Sequence, residues 1–135
     1  MKYRLLFAAS LMLAPSLATA EEDYPAGVWR FSRDESIASL LEAGKSKQDA
    51  ENTADMSREM TIEFTEETVK IDLTAGFTVA KCGWDSNEND SIILTDCVDG
   101  DGKPVAEAAT GHIDWMDDGS LYVIDKDGSK VVFRR

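Results

Sequence analysis

From Met60 to the end of the chain, bulky apolar side chains fall mostly on every second position. Met60, Ile62 and Phe64 alternate with Thr61, Glu63 and Thr65; past Glu66 and Glu67, Val69, Ile71 and Leu73 alternate with Thr68, Lys70 and Asp72. A period of two is the pattern of a strand with one buried face. Folding this stretch as a hairpin about Glu66-Glu67 sets Phe64 opposite Val69 and Ile62 opposite Ile71. All six apolar residues then share one face, and Glu63 lies across from Lys70 on the other, a favourable cross-strand pair. A slip of one residue would turn the whole apolar set outward, so this register is strongly specified.

Residues 76–84 and 91–98 read as the next pair of strands, joined by the polar run Asp85-Ser86-Asn87-Glu88-Asn89-Asp90. A turn cluster follows at 99–104, and 105–109 is ambiguous. The last thirty residues contain an echo: Met116-Asp117-Asp118-Gly119-Ser120 and Asp125-Lys126-Asp127-Gly128-Ser129 both end in Asp-Gly-Ser. Each suits a three-residue hairpin loop with glycine in the left-handed conformation. Read so, both turns place Ile113, Trp115, Leu121, Val123, Val131 and Phe133 on one face. The opposite face carries His112, Asp114, Tyr122, Ile124, Val132 and Arg134, a mixture that predicts partial cover by another element.

Before Met60 the period changes. Gly27-Val28-Trp29-Arg30-Phe31 reads as a first strand. Ile37, Leu40 and Leu41 then stand at i, i+3 and i+4, one face of a helix starting near Asp34 and stopping at Gly44-Lys45. Residues 46–59 hold little apolar bulk beyond Met56 and read as a second, weaker helix or a loop, with Ser46 and Asp49 able to cap its start. The expected fold is mainly β: an antiparallel meander of seven or eight strands, with a helical insertion after the first. Such a sheet curls into a small barrel, which removes its exposed edges, and the helix stripe is buried over a mouth or an open side.

The first twenty residues read differently from the rest. Lys2 and Arg4 precede an apolar run over 5–14, then Pro15 and the small-x-small site Ala18-Thr19-Ala20. This is the plan of a cleaved signal peptide covering 1–20, and a core of about ten residues is too short for a permanent membrane span. The expectation is a periplasmic or secreted, single-domain chain over 21–135, with no membrane insertion once mature. No cysteine follows the cleavage site, so a lipid anchor is not expected. Export makes a disulfide the default state of Cys82 and Cys97. It would close a loop of about sixteen residues and stabilise the fold by roughly 3 kcal/mol.

The chain of 135 residues carries 26 acidic against 14 basic side chains, a net charge of −12. Removing Lys2 and Arg4 with the leader takes this to −14. Such a field disfavours nucleic acid and anionic membranes and favours cationic partners.

Candidate chemistry is sparse. Asp85, Asn87 and Asn89 have the D-x-N-x-N spacing of a calcium loop. However, Asp90 stands where a tight turn wants glycine, Asp96 replaces the terminal glutamate, and the flanks are strands, so a solvated hairpin loop is the stronger reading. His112 and Asp114 share a strand face and are close enough to touch, but no activated nucleophile accompanies them. The chain reads as a non-enzyme needing no cofactor.

Gly27-Val28-Trp29 at the first strand and Arg134 at the last resemble the G-x-W and closing basic residue of lipocalin-like, calycin-type barrels. The resemblance covers the strand plan of residues 27–135. It implies that Trp29 sits at a closed barrel end under the side chain of Arg134, with Arg135 or Arg30 as substitutes. It also implies a ligand-sized cavity. Two functions fit. One is a monomeric exported protein that binds a small apolar or amphipathic ligand between barrel and helix, through Ile37, Leu40, Leu41, Phe64 and Trp115. The other is an acidic inhibitor or immunity protein directed at a cationic hydrolase or toxin such as a lysozyme, since periplasmic lysozyme inhibitors share these bulk properties.

Overall fold

A computed structural model describes residues 23–106 and 111–135. The leader over 1–20 and its cleavage site lie outside the described residues, as does most of the ambiguous 105–109 stretch. The described residues form eight strands: β1 (Gly27–Phe31), β2 (Thr61–Phe64), β3 (Thr68–Thr74), β4 (Phe77–Ser86), β5 (Ile92–Val98), β6 (His112–Trp115), β7 (Leu121–Ile124) and β8 (Lys130–Arg134). Between β1 and β2 run two helices, α1 (Arg33–Glu42) and α2 (Lys47–Ser57). Each strand pairs antiparallel with the next in sequence, and β8 returns to β1, closing a barrel.

Hydrophobic alternation sets the registers. Phe64 pairs with Val69, Ile62 with Ile71 and Glu63 with Lys70, the arrangement that puts the apolar set inside. Leu73 departs from it. The ladder between β3 and β4 shifts on both sides of Asp72, and beyond those irregularities Leu73 turns outward, 37% exposed. A bulge also re-aims the β4–β5 hairpin. Lys81 opposes Val98 but Gly83 opposes Thr95, leaving Asp96 as the extra residue with a left-handed φ of 51°. Cys82 and Cys97 lie just beyond it, joined by a disulfide with Cα atoms 4.1 Å apart. Both are buried in the barrel core.

The two Asp-Gly-Ser turns are built alike. Met116 N–H donates to the Ser120 carbonyl and Gly119 N–H back to the Met116 carbonyl; Asp125, Ser129 and Gly128 repeat the pattern. Gly119 and Gly128 take φ of 86° and 88°, values open to glycine at no steric cost. Asp118 and Asp127 each accept from the N–H and the hydroxyl of the serine two residues on.

Helix α1 ends in a glycine-stopped motif: Gly44 N–H donates to the Leu41 carbonyl and Lys45 N–H to the Leu40 carbonyl, with Gly44 at a φ of 92°. Such a left-handed residue satisfies the last carbonyls of the helix. Its buried stripe is Ser36 and Leu40, with Ile37 partly buried against the core, whereas Leu41 is 44% exposed. Ser46 caps α2 by accepting from Asp49 N–H. Helix α2 buries Ala50 and Ala54 completely and leaves Met56 exposed. Its packing stripe is made of small side chains, which allow close approach where bulk would hold the helix away.

The helices close the sheet. The seam between β1 and β8 has two residue pairs, Arg30 with Arg134 and Phe31 with Phe133. At Ser32 the chain leaves the sheet, and its N–H donates to the Val132 carbonyl. One turn into α1, the fully buried Ser36 hydroxyl donates to the same carbonyl (3.2 Å) and accepts from Val132 N–H (2.8 Å). The helix thus serves the edge of β8 where β1 has ended, and Val132, on the outer face, is buried with it.

Replacing Ser36 with alanine leaves the Val132 N–H without its acceptor in a dry seam. Urea denaturation of Ser36→Ala should show a loss of about 2 kcal/mol, against less than about 0.5 kcal/mol for Ser39→Ala on the same helix. Reducing Cys82–Cys97 should lower stability by roughly 3 kcal/mol, read as the drop in urea midpoint on adding a reductant.

Candidate functional site

The barrel interior divides along its axis. Ile113, Val123 and Val131 stand in register across β6, β7 and β8. One pair further along, Trp115, Leu121 and Phe133 form the next row. In that row Leu121 and Phe133 are almost wholly buried, at 0% and 1% exposure. Val123 and Val131 are only partly buried, because they face a void.

The filled end is aromatic. Trp29 is 1% exposed, and its indole N–H donates to the Pro25 carbonyl at 2.8 Å. The guanidinium of Arg135 lies 4.5 Å from the centre of the Trp29 ring, a geometry in which a cation is attracted to the ring face. The expected stack on Arg134 is therefore corrected to Arg135. The cause is strand alternation: Phe133 points into the barrel, so Arg134 points out and Arg135 in again. Arg134 instead grips Glu35 of α1 through two bonds, Nη2 to Oε2 at 2.7 Å and Nε to Oε1 at 3.0 Å. Those bonds, with one from the Ser32 hydroxyl, hold the Glu35 carboxyl below its usual range. Trp84 packs against Tyr24 and Phe64 and donates its indole N–H to the Thr65 carbonyl.

The opposite end is hollow. A cavity of about 400 Å³ lies beneath the helices, within the size range of small-molecule sites. Its wall is Ile71, Leu94, Ile113, Val123 and Val131 from the barrel, and its roof includes Leu40 and Thr53. Its rim carries Lys45, His112, Asp125, Asp127 and Ser129. Lys45, in the link between α1 and α2, reaches across to Asp127 of the β7–β8 turn, Nζ to Oδ2 at 3.2 Å, and so ties the roof to the barrel. Gly111 stands at the edge, where an added Cβ would collide with the Ile124 carbonyl.

Of the five residues expected to touch a ligand, only Leu40 lines this cavity. Phe64 points inward but belongs to the filled end. Trp115 lies one row past the cavity and is 37% exposed. Leu41 sits a helix step away from Leu40 and faces water, and Ile37 packs on the core. The wall residues missed, Ile71, Leu94, Ile113, Val123 and Val131, carry the same period-two signal as the filled core. What separates them is depth along the barrel.

The other candidate clusters have structural partners. Asp85 accepts from Ser86 N–H, and Asn87 from the N–H groups of Asn89 and Ser91, so these oxygens hold the hairpin loop in shape. Among the described residues no group of three or more His, Cys, Asp or Glu side chains gathers as a metal site. Asp114 accepts a bond of 2.5 Å from the Ser91 hydroxyl and lies 3.9 Å from His112 Nε2. The cluster ties β5 to β6. No helix among the described residues is long and apolar enough to cross a membrane.

No family model and no curated protein matches the sequence. A similar solved structure is the crystal structure of a DUF4847 family protein from Bacteroides vulgatus ATCC 8482. It has 10% sequence identity and a TM-score of 0.47, over 82% of this chain and 92% of that one.

Asp127 is the most perturbed acid on the rim. The Ser129 hydroxyl, then the Ser129 N–H, then Lys45 lower its pKa to about 2. A carboxyl depressed on folding adds stability above its unfolded pKa and loses it as pH falls through the folded value. Carbon-detected NMR titration should therefore find a midpoint near 2 for Asp127. Ser129→Ala should raise that midpoint further than Lys45→Met does.

Proposed function

We propose that this chain is an exported, monomeric, non-enzymatic binding protein of lipocalin-like type that holds a small apolar or amphipathic molecule in the hollow end of its barrel. The cavity carries this reading: its barrel wall is aliphatic, its charged groups are confined to the rim, and one end of the barrel is filled while the other is not. Concave, mostly apolar sites with a few polar groups are where small molecules bind. The Trp29–Arg135 stack supports the lipocalin-like comparison, since it pairs the tryptophan of the first strand with a basic residue beyond the last. A buried disulfide supports a periplasmic or secreted location, where thiols oxidise. The inhibitor reading rests on bulk properties, namely size, export, one disulfide and negative charge, with no site residues behind it, and is not carried further.

Fluorescence titration with N-phenyl-1-naphthylamine, a neutral apolar dye, tests the proposal, together with native mass spectrometry of the protein as purified. The dye should bind the unmodified protein. Val123→Phe, which fills the void, should weaken it by about tenfold, a loss of roughly 1.4 kcal/mol, while the folded barrel persists by circular dichroism. Phe77→Ser, at an exposed hairpin end, should leave binding unchanged. Equal binding by the filled variant would refute a site in the barrel.

A further inference from the structure

We infer that the cavity selects for a positively charged head group, so that its ligand is a cationic amphiphile such as a long-chain primary amine. This rests on the cavity reading above and adds the chemistry of the head. The wall below the rim is aliphatic, so a ligand's charged group must lie at the rim, where water reaches it.

The charged groups at the rim are Lys45 from the helix link, and Asp125 and Asp127 from the β7–β8 turn; His112 of β6 completes it with an ionisable ring. Lys45 and Asp127 neutralise each other, and the other Asp127 oxygen accepts from Ser129 N–H and its hydroxyl. Asp125 is different. One oxygen accepts the neighbouring Lys126 N–H, and among the described residues no cationic side chain pairs with its carboxylate. Lys126 itself is exposed and does not line the cavity. The rim therefore keeps one uncompensated negative charge beside the void.

The net charge of −12 acts in the same direction, because a field of one sign attracts the opposite ion and repels its own. An ammonium seated at the rim meets Asp125 directly. A carboxylate there meets repulsion from Asp125, and the Lys45 charge it would seek is already balanced by Asp127.

The test is displacement of N-phenyl-1-naphthylamine from the intact protein by decylamine, decanol and decanoate, at low and at high salt. These share an apolar chain and differ in head charge. At low salt decylamine should compete about fivefold better than decanol, as an exposed ion pair allows, and decanoate should be weakest. The spread should narrow in high salt, where exposed charges are screened. Asp125→Asn keeps the oxygen that accepts from Lys126 N–H but removes the charge. It should bring decylamine down to the level of decanol and leave decanol itself unchanged. Glu66→Gln, an equal loss of charge at the β2–β3 turn, should not. If decanol or decanoate competes as well as decylamine, or if the two variants behave alike, the head-group assignment is overturned and the cavity stands. If none of the three displaces the dye, the cavity reading falls as well.

Discussion

A closed sheet depends on its last edge finding a partner. Here that edge belongs to β8, and β1 covers only Arg134 and Phe133 of it before the chain turns away at Ser32. The Val132 carbonyl accepts from Ser32 N–H, but the Val132 N–H would be left unsatisfied inside a packed seam, which protein interiors tolerate poorly. The Ser36 hydroxyl meets both backbone polar atoms of Val132. A hydroxyl is well suited to this, since it donates and accepts at once. The same contact seats α1, and α1 positions Leu40 over the cavity. Barrel closure, helix docking and the roof of the site therefore share one buried serine.

Around that seam the charged side chains act as outer ties. Arg134 binds Glu35 at the start of α1, and Lys45 binds Asp127 at its far end. Both pairs are exposed, so each stabilises the fold weakly; their effect is to fix where the helix lies. Arg134 and Arg135, adjacent in sequence, take opposite tasks because strand alternation sends one to the helix and the other to Trp29.

Much of the fold could be read from the chain. The period of two gave the β2–β3 register pair by pair, and the repeated Asp-Gly-Ser turns gave the inward faces of β6 to β8. Alternation states which face a residue occupies, however, and not how deep along the barrel it lies. Phe64 and Trp115 were therefore expected at the ligand, while Val123 and Val131 were counted only as core. Leu73 is misplaced by the alternation for another reason: an irregular ladder shifts what lies past it, and Asp72 does not announce one. Ser36 carried no signal, because a polar residue on an apolar stripe is informative only once its partner 96 positions away is known.

Every other strand contact in the barrel joins neighbours in sequence, whereas the seam brings Phe31 to Phe133. Contacts between distant parts of a chain form against the entropy of closing a long loop and come late in assembly. The meander from β2 to β8 can thus assemble as an open ribbon before its ends meet. The void under α1 takes its roof from the helix docked at this seam, so its shape depends on the pairing of longest sequence separation among the described strands.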